Sequence, residues 1–199
     1  MKLLHIQSGI FGDHSQSNAL SNQFIDVLRE QDSHLEVVTR DLVASPIPHL
    51  DAEIITALST ASGERNEVQQ QIVDFSDQLI EEIVQADAIV LGVPMYNFGV
   101  PSQLKAYFDQ IARAGVTFKY TETGPVGLLE DKPVYVLAAR GGLHKDQPTD
   151  SQTGFLKTIL GFVGLQNVQI IYAEGLNMGD AAKAEALQQA EQAMKKAVA

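Results

Sequence analysis

The side chains best suited to hold a flat aromatic ligand lie in the segment 94–99, which reads PMYNFG. They comprise two aromatic rings, a thioether and an amide: Tyr96, Phe98, Met95 and Asn97. The segment separates the apolar run 88–93 from a helical pattern that begins at Pro101. In an α/β protein such a strand end can line a ligand opening, because the backbone there is released from the sheet. The alternative interpretation is that these aromatics belong to the core and the following Gly-Val-Pro only makes a turn.

A second loop, residues 8–18, has the composition of an anion site and reads SGIFGDHSQSN. Its hydroxyl and amide groups, with the free N–H groups at the start of the next helix, could hold an anion without any cation. The loop contains neither a Walker Gly-Lys-Ser/Thr nor a G-x-G-x-x-G pattern. This argues against a nucleoside triphosphate or a Rossmann-bound dinucleotide and favours the phosphate of flavin mononucleotide (FMN). Alternatively, the hydroxyls only cap the helix.

A third loop, residues 139–146, follows the fourth predicted strand and reads ARGGLHKD. Gly141 and Gly142 would let backbone N–H groups approach the pyrimidine edge of a flavin, where negative charge accumulates on reduction. Arg140 could assist electrostatically, or it could be a surface ion-pair partner. His144 could stack on a substrate or donate to it, or it could be an exposed histidine without chemistry.

Short apolar or β-branched runs alternate with helical patterns along the whole chain. They predict five strands, at 2–7, 35–42, 88–93, 133–139 and 167–173. Such alternation predicts βαβ units and a doubly wound, five-stranded parallel sheet flanked by helices, in a single domain spanning 1–199. Two stretches, 45–63 and 115–129, are longer than ordinary connections, and long insertions are usually functional or interfacial.

Composition narrows the classes of function. The chain has 199 residues, no cysteine and a net charge of −11. Without cysteine there are no disulfides, thiolate catalysts or cysteine metal sites, and a reducing cytoplasm is the expected compartment. The acidity argues against nucleic-acid or anionic-membrane partners. The five histidines show no paired metal-ligand spacing, so no metal is implied.

The ordered motifs resemble those of the FMN-dependent NADH-azoreductases, which are bacterial flavodoxin-like quinone reductases related to DT-diaphorase. They fall in family order over essentially the whole chain and include SQSN (15–18), RDL with its following PIP (40–48), PMYNF (94–98), ARAGVTF (112–118), RGG (140–142), PTD (148–150) and AEG (173–175).

The resemblance implies site residues by motif. Cofactor contacts would come from Gly9, Ser15, Gln16, Ser17, Met95, Tyr96, Asn97, Phe98, Ala139, Arg140, Gly141 and Gly142. Ser15, Gln16 and Ser17 would hold the phosphate and ribityl end, and residues 95–98 and 140–142 would hold the ring. The substrate space would be bordered by Tyr120, His144 and Phe162. The chain departs from the pattern at Gly9 and Ala139, where relatives often carry serine.

The activity implied by the resemblance is a two-step exchange through non-covalently bound FMN. NADH would pass hydride to flavin N5 and leave, and a quinone or azo compound would then take its place. No side chain is predicted to be a catalytic residue. The second possible function is a flavodoxin-type electron carrier that serves a protein partner. The third is an interaction protein that has lost its flavin.

The apolar residues of the two insertions, among them Ile55, Phe118 and Tyr120, predict a homodimer with shared active sites.

Overall fold

Five parallel strands form the central sheet of the computed structural model, which describes residues 1–198. The strands are β1 (Lys2–Gln7), β2 (Glu36–Asp41), β3 (Ala88–Pro94), β6 (Val134–Ala139) and β7 (Val168–Ala173). Between β3 and β6 lies an antiparallel hairpin of β4 (Phe118–Thr121) and β5 (Gly124–Gly127). The sheet order is β2-β1-β3-β6-β7. The predicted doubly wound parallel sheet is therefore confirmed, and each strand lies within one residue of its predicted bounds.

Six α-helices accompany the strands, and the last of them follows β7. They are α1 (Gln16–Gln31), α2 (Ala52–Ser59), α3 (Glu67–Gln85), α4 (Ser102–Ile111), α5 (Ser151–Val163) and α6 (Asp180–Ala197). Helices α3, α4 and α5 bury their apolar stripes on one face of the sheet, and α1 and α6 cover the other. Among residues 1–198, no helix is both long and apolar enough to cross a bilayer.

Burial on both faces explains why β3 is a nearly continuous apolar run. All seven of its residues are buried, as expected of an interior strand in a parallel sheet with helices on each side. The strand order reverses at β1, because β2 lies on one side of it and β3 on the other. Such a reversal opens a crevice at the carboxyl ends of the strands. The loops after β1, β3 and β6 all start at that edge.

His5 on β1 gives the fold a pH dependence. It is 2% exposed, and its Nε2 lies 2.8 Å from the Ser21 hydroxyl. Burial lowers its pKa from 6.5 to about 4, and the nearby Asp41 charge opposes this only partly. Between those two pH values the unfolded chain binds a proton at this histidine that the folded chain does not, so stability falls as the pH drops from 6.5 towards 4.

We expect His5 to remove up to about 3 kcal/mol of the free energy of unfolding across that window. Urea unfolding of wild-type and His5→Gln chains, both without FMN, at pH 7 and pH 4.5 measures the effect. The difference between the two proteins should shrink or reverse at the lower pH. An equal loss of stability in both proteins would contradict the assignment to His5.

Candidate functional site

A cavity of about 230 Å³ lies at the carboxyl ends of β1, β3 and β6. The loops after these strands and the loop after β7 line it with Phe11, His14, Ser15, Gln16, Ser17, Pro94, Met95, Tyr96, Ala139, Arg140, Gly141, Leu176 and Asn177. A larger cavity of about 540 Å³ lies between β7 and α6, but none of its lining residues comes from the loops after β1 and β3. The smaller cavity is therefore the candidate site.

The start of α1 forms one wall of this cavity. Ser15 is the N-cap residue, and its hydroxyl accepts from the Phe11 N–H at 3.0 Å. The first N–H groups of any helix lack intrahelical partners. The Ser17 hydroxyl is fully buried, and within residues 1–198 it has no hydrogen-bond partner. A buried orphan hydroxyl beside free N–H groups fits a phosphate, which accepts from both.

Close packing explains why glycine stands at position 9. A Cβ there would lie 2.5 Å from Ser15 Oγ and 2.9 Å from Asn18 Oδ1. The Gly9 N–H donates to that same Asn18 oxygen at 3.3 Å. A serine at this position would require these neighbours to move, so the departure from the family pattern has a local steric cause. Gly9 lies behind the cavity wall, whereas Ala139, the other departure, lines the cavity.

The ring loop, defined here as residues 94–99, has an unusual backbone. Asn97 and Phe98 have φ values of 49° and 68°, in the left-handed region that non-glycine residues rarely adopt. The loop is closed by two bonds between the main chains of Tyr96 and Gly99, at 3.1 and 3.0 Å. The Tyr96 hydroxyl accepts from the Ile10 N–H at 3.2 Å. Met95 and Tyr96 line the cavity, and Asn97 and Phe98 lie exposed beside it.

The glycine loop, defined here as residues 140–145, packs against the loop that follows β7. A Cβ on Gly141 would lie 2.5 Å from Asn177 Nδ2, and one on Gly142 would lie 3.0 Å from His144 Nε2. The Asn177 N–H donates to the Gly141 carbonyl at 3.0 Å. A side chain at position 141 would require Asn177 to move, and one at position 142 would require only a small shift of His144. Gly141 reaches the cavity wall.

Arg140 is not the surface ion-pair partner that was one of its two predicted roles. Its side chain is fully buried. The guanidinium donates to two carboxylates and two neutral acceptors, which are Asp150, Glu174, Gln152 and Thr153. Its charge is thus already paired within the protein. The sequence could not show this, because these partners come from α5 and from the loop after β7.

His144 lies at the rim of the site. Its Nδ1 is 2.9 Å from the Thr149 hydroxyl. Its ring meets the Phe98 ring edge to face, with centroids 5.7 Å apart. This contact joins the glycine loop to the ring loop and leaves an aromatic surface beside the cavity.

Tyr120 and Phe162 lie away from this cavity within one chain. Ser151 at the start of α5 donates its hydroxyl to the Phe98 carbonyl, so that end of the helix lies at the site. Phe162 follows about three turns, or about 16 Å, further along the axis. It packs on Phe118 at a centroid distance of 4.3 Å, and Phe118 contacts Tyr120 at 5.4 Å. One chain therefore does not bring the predicted substrate residues together.

The loop after β7 was missed as a source of site residues. Leu176 and Asn177 line the cavity, and Glu174 binds the backbone of the glycine loop. The sequence did contain a signal for it: β7 is a predicted strand of the same parallel sheet, so the loop that follows it starts at the same sheet edge as the other three loops.

Comparisons with known proteins agree with this geometry. Residues 1–198 match the model of a family described as having a flavodoxin-like fold. The chain is 58% identical to the FMN-dependent NADH:quinone oxidoreductase of Cellvibrio japonicus (strain Ueda107), over 96% of both chains. It is 51% identical to that of Alcanivorax borkumensis, over 94% of both.

A solved structure of an FMN-dependent NADH-azoreductase from Bacillus anthracis in complex with FMN also superposes on the chain. The TM-score is 0.88 at 28% identity, covering 98% of this chain and 96% of that one. The fold, the cavity at the strand ends and these similarities agree, and the chain belongs to the flavodoxin-like family that includes the FMN-dependent NADH:quinone oxidoreductases.

Proposed function

We propose that this chain is an FMN-dependent NADH:quinone oxidoreductase that also reduces azo compounds. The observation that carries the proposal is the buried Ser17 hydroxyl, which has no hydrogen-bond partner among residues 1–198 and lies in a cavity at the start of α1. It lies below the ring loop and the glycine loop, which offer apolar surface and backbone donors. The names of the relatives support the same activity.

The residues divide the work of holding FMN. Ser15, Gln16 and Ser17 would bind the phosphate and ribityl end. The ring loop would orient the isoalloxazine, and Gly141 and Gly142 would turn main-chain N–H groups towards its pyrimidine edge. When bound, FMN supplies the capacity to accept a hydride and return two electrons. The N–H donors would stabilise the negative charge that follows reduction.

The rim residues would choose the substrates. His144 and Phe98 present an aromatic edge on which a flat ring can stack. Within residues 1–198 the cavity has no second nucleotide-binding motif beside it, which supports one pocket used in turn by NADH and by the acceptor. A quinone needs one such cycle. Cleavage of an azo bond to two amines needs four electrons and therefore two cycles.

We infer a homodimer in which Tyr120 and Phe162 of one chain cover the site of the other. Tyr120 is 74% exposed, and other large apolar side chains of the two insertions are also exposed, among them Leu50, Ile55 and Val116. Their burial between two copies would remove this apolar surface from water. It would also bring the two predicted substrate residues to a flavin that they cannot reach within their own chain.

A flavodoxin-type electron carrier is the second candidate, because the net charge of −11 would suit steering towards a basic protein partner. The relatives named as oxidoreductases favour the enzyme. Steady NADH oxidation with a small quinone and no partner protein distinguishes the two. The absence of cysteine supports a cytoplasmic location for either.

Steady-state kinetics test the proposed function. The purified chain should bind one FMN and be yellow, and double-reciprocal plots against NADH at several quinone concentrations should be parallel, because the first product leaves before the acceptor binds. His144→Ala should change KM for the acceptor more than kcat. Intersecting lines, or a complete loss of turnover in His144→Ala with FMN still bound, would overturn this mechanism.

A further inference from the structure

The side chain of Gln152, on the first turn of α5, joins the two loops of the site. It is 1% exposed. Its Nε2 donates to the Pro94 carbonyl oxygen at 2.9 Å, and it lies 3.4 Å from the Gly99 carbonyl oxygen. Its Oε1 accepts from Arg140 Nε at 3.2 Å. One buried amide therefore uses both of its ends, one on each loop.

Arg140 determines which way this amide faces. A guanidinium donates hydrogen bonds and cannot accept them. Gln152 must therefore present its oxygen to Arg140, which leaves its NH₂ group for the carbonyls of the ring loop. The Pro94 carbonyl is the principal acceptor for that group, at 2.9 Å, because the Gly99 carbonyl already accepts from the Tyr96 N–H.

Two carboxylates hold Arg140 in place. Glu174 accepts from Arg140 Nη1 at 3.0 Å, and Asp150 accepts from Nη2 at 2.9 Å. Burial opposes the ionisation of Asp150, but hydrogen bonds from Arg140 and Thr153 outweigh it and lower its pKa. The Glu174 oxygen also accepts from the N–H groups of His144 and Lys145, each at 2.9 Å. The guanidinium and the glycine loop thus form one rigid unit.

The ring loop requires such external support. Its left-handed residues, Asn97 and Phe98, hold backbone strain that the surrounding contacts must offset. Two residues of α5 hold the loop. The Ser151 hydroxyl donates to the Phe98 carbonyl, and the Gln152 amide donates to the Pro94 carbonyl. Gln152 is the one that continues to the glycine loop.

We propose that Gln152 is a positioning residue that sets the ring loop against the glycine loop and so fixes how the two edges of the flavin ring are held. This inference rests on the proposed function, because it needs FMN between the loops. Gln152 does not line the cavity. It acts through the main chain of the ring loop and through Arg140.

The test is Gln152→Met, which keeps the length and apolar volume of the side chain but loses both ends of the amide. We expect the Kd for FMN to rise about tenfold. At saturating FMN we expect the visible circular dichroism spectrum and the reduction potential of the bound flavin to shift, because the donors at the ring edges are displaced.

Leu79→Ala is the matched control. Leu79 is fully buried on α3, in the core rather than at the loops, and its truncation also destabilises the fold. The control should lose thermal stability and keep the spectrum and potential of the wild-type flavin. Equal spectra and potentials in wild type and Gln152→Met would overturn the positioning role alone. A wild-type chain that binds no FMN would overturn the proposed function as well.

Discussion

Ser17→Asp should abolish FMN binding while the chain still folds. The Ser17 hydroxyl is buried in the cavity, and no group in the described part of the chain bonds to it, so a carboxylate there would face the phosphate directly. Opposed like charges cost several kcal/mol, which weakens binding at least about 100-fold. The same carboxylate lies in the first turn of α1, where the free N–H groups can donate to it and offset the cost of burying its charge. Loss of cofactor should therefore not come with loss of structure.

Ser17→Asn is the matched variant, because asparagine has the shape of aspartate without its charge. Isothermal titration of FMN into both variants, with far-ultraviolet circular dichroism on each, makes the comparison. Asparagine should weaken binding far less than aspartate. Equal affinities in the two variants would mean that the phosphate lies elsewhere.

Two variants that are each inactive should restore activity when they are mixed. The first is Ser17→Asp, which lacks FMN but has intact Tyr120 and Phe162. The second carries Tyr120→Ala together with Phe162→Ala and keeps its FMN loops. If sites are shared across a dimer, a mixed dimer has one intact site, formed by the FMN loops of the second variant and the aromatic pair of the first.

The size of the recovery is set by symmetry. Random exchange of subunits makes about half of the dimers mixed, each with one intact site of two, so about a quarter of wild-type NADH:quinone activity should return. Co-refolding or co-expression with different affinity tags allows the mixed dimer to be isolated and assayed. Full activity in the double alanine variant alone, or no recovery in an isolated mixed dimer, would contradict shared sites.

The sequence was sufficient for the sheet and for three of the four loops of the site. The strands are short apolar runs between clear helical stripes, and a parallel sheet places their ends at one edge. The hairpin β4–β5 was seen only as a long insertion. Its strands have four residues each, and in β4 only Phe118 is buried, so no alternating pattern marks it.

The side-chain partners could not be read from the sequence. Arg140 is buried because Asp150 and Glu174 reach it from two other loops, and such pairing depends on the packed structure. In the same way, Phe162 looks like a site residue by motif. Its distance from the site within one chain follows from the direction in which α5 runs.

The phosphate end of the cavity, described above at the start of α1, bears on selectivity inside a cell crowded with nucleotides. Arg140 is the one lysine or arginine in the described lining of this cavity, and its charge is already paired. A site built from N–H groups and hydroxyls recognises the shape of one phosphate and offers little to a highly charged triphosphate. Abundant ATP should therefore compete poorly with FMN for this pocket.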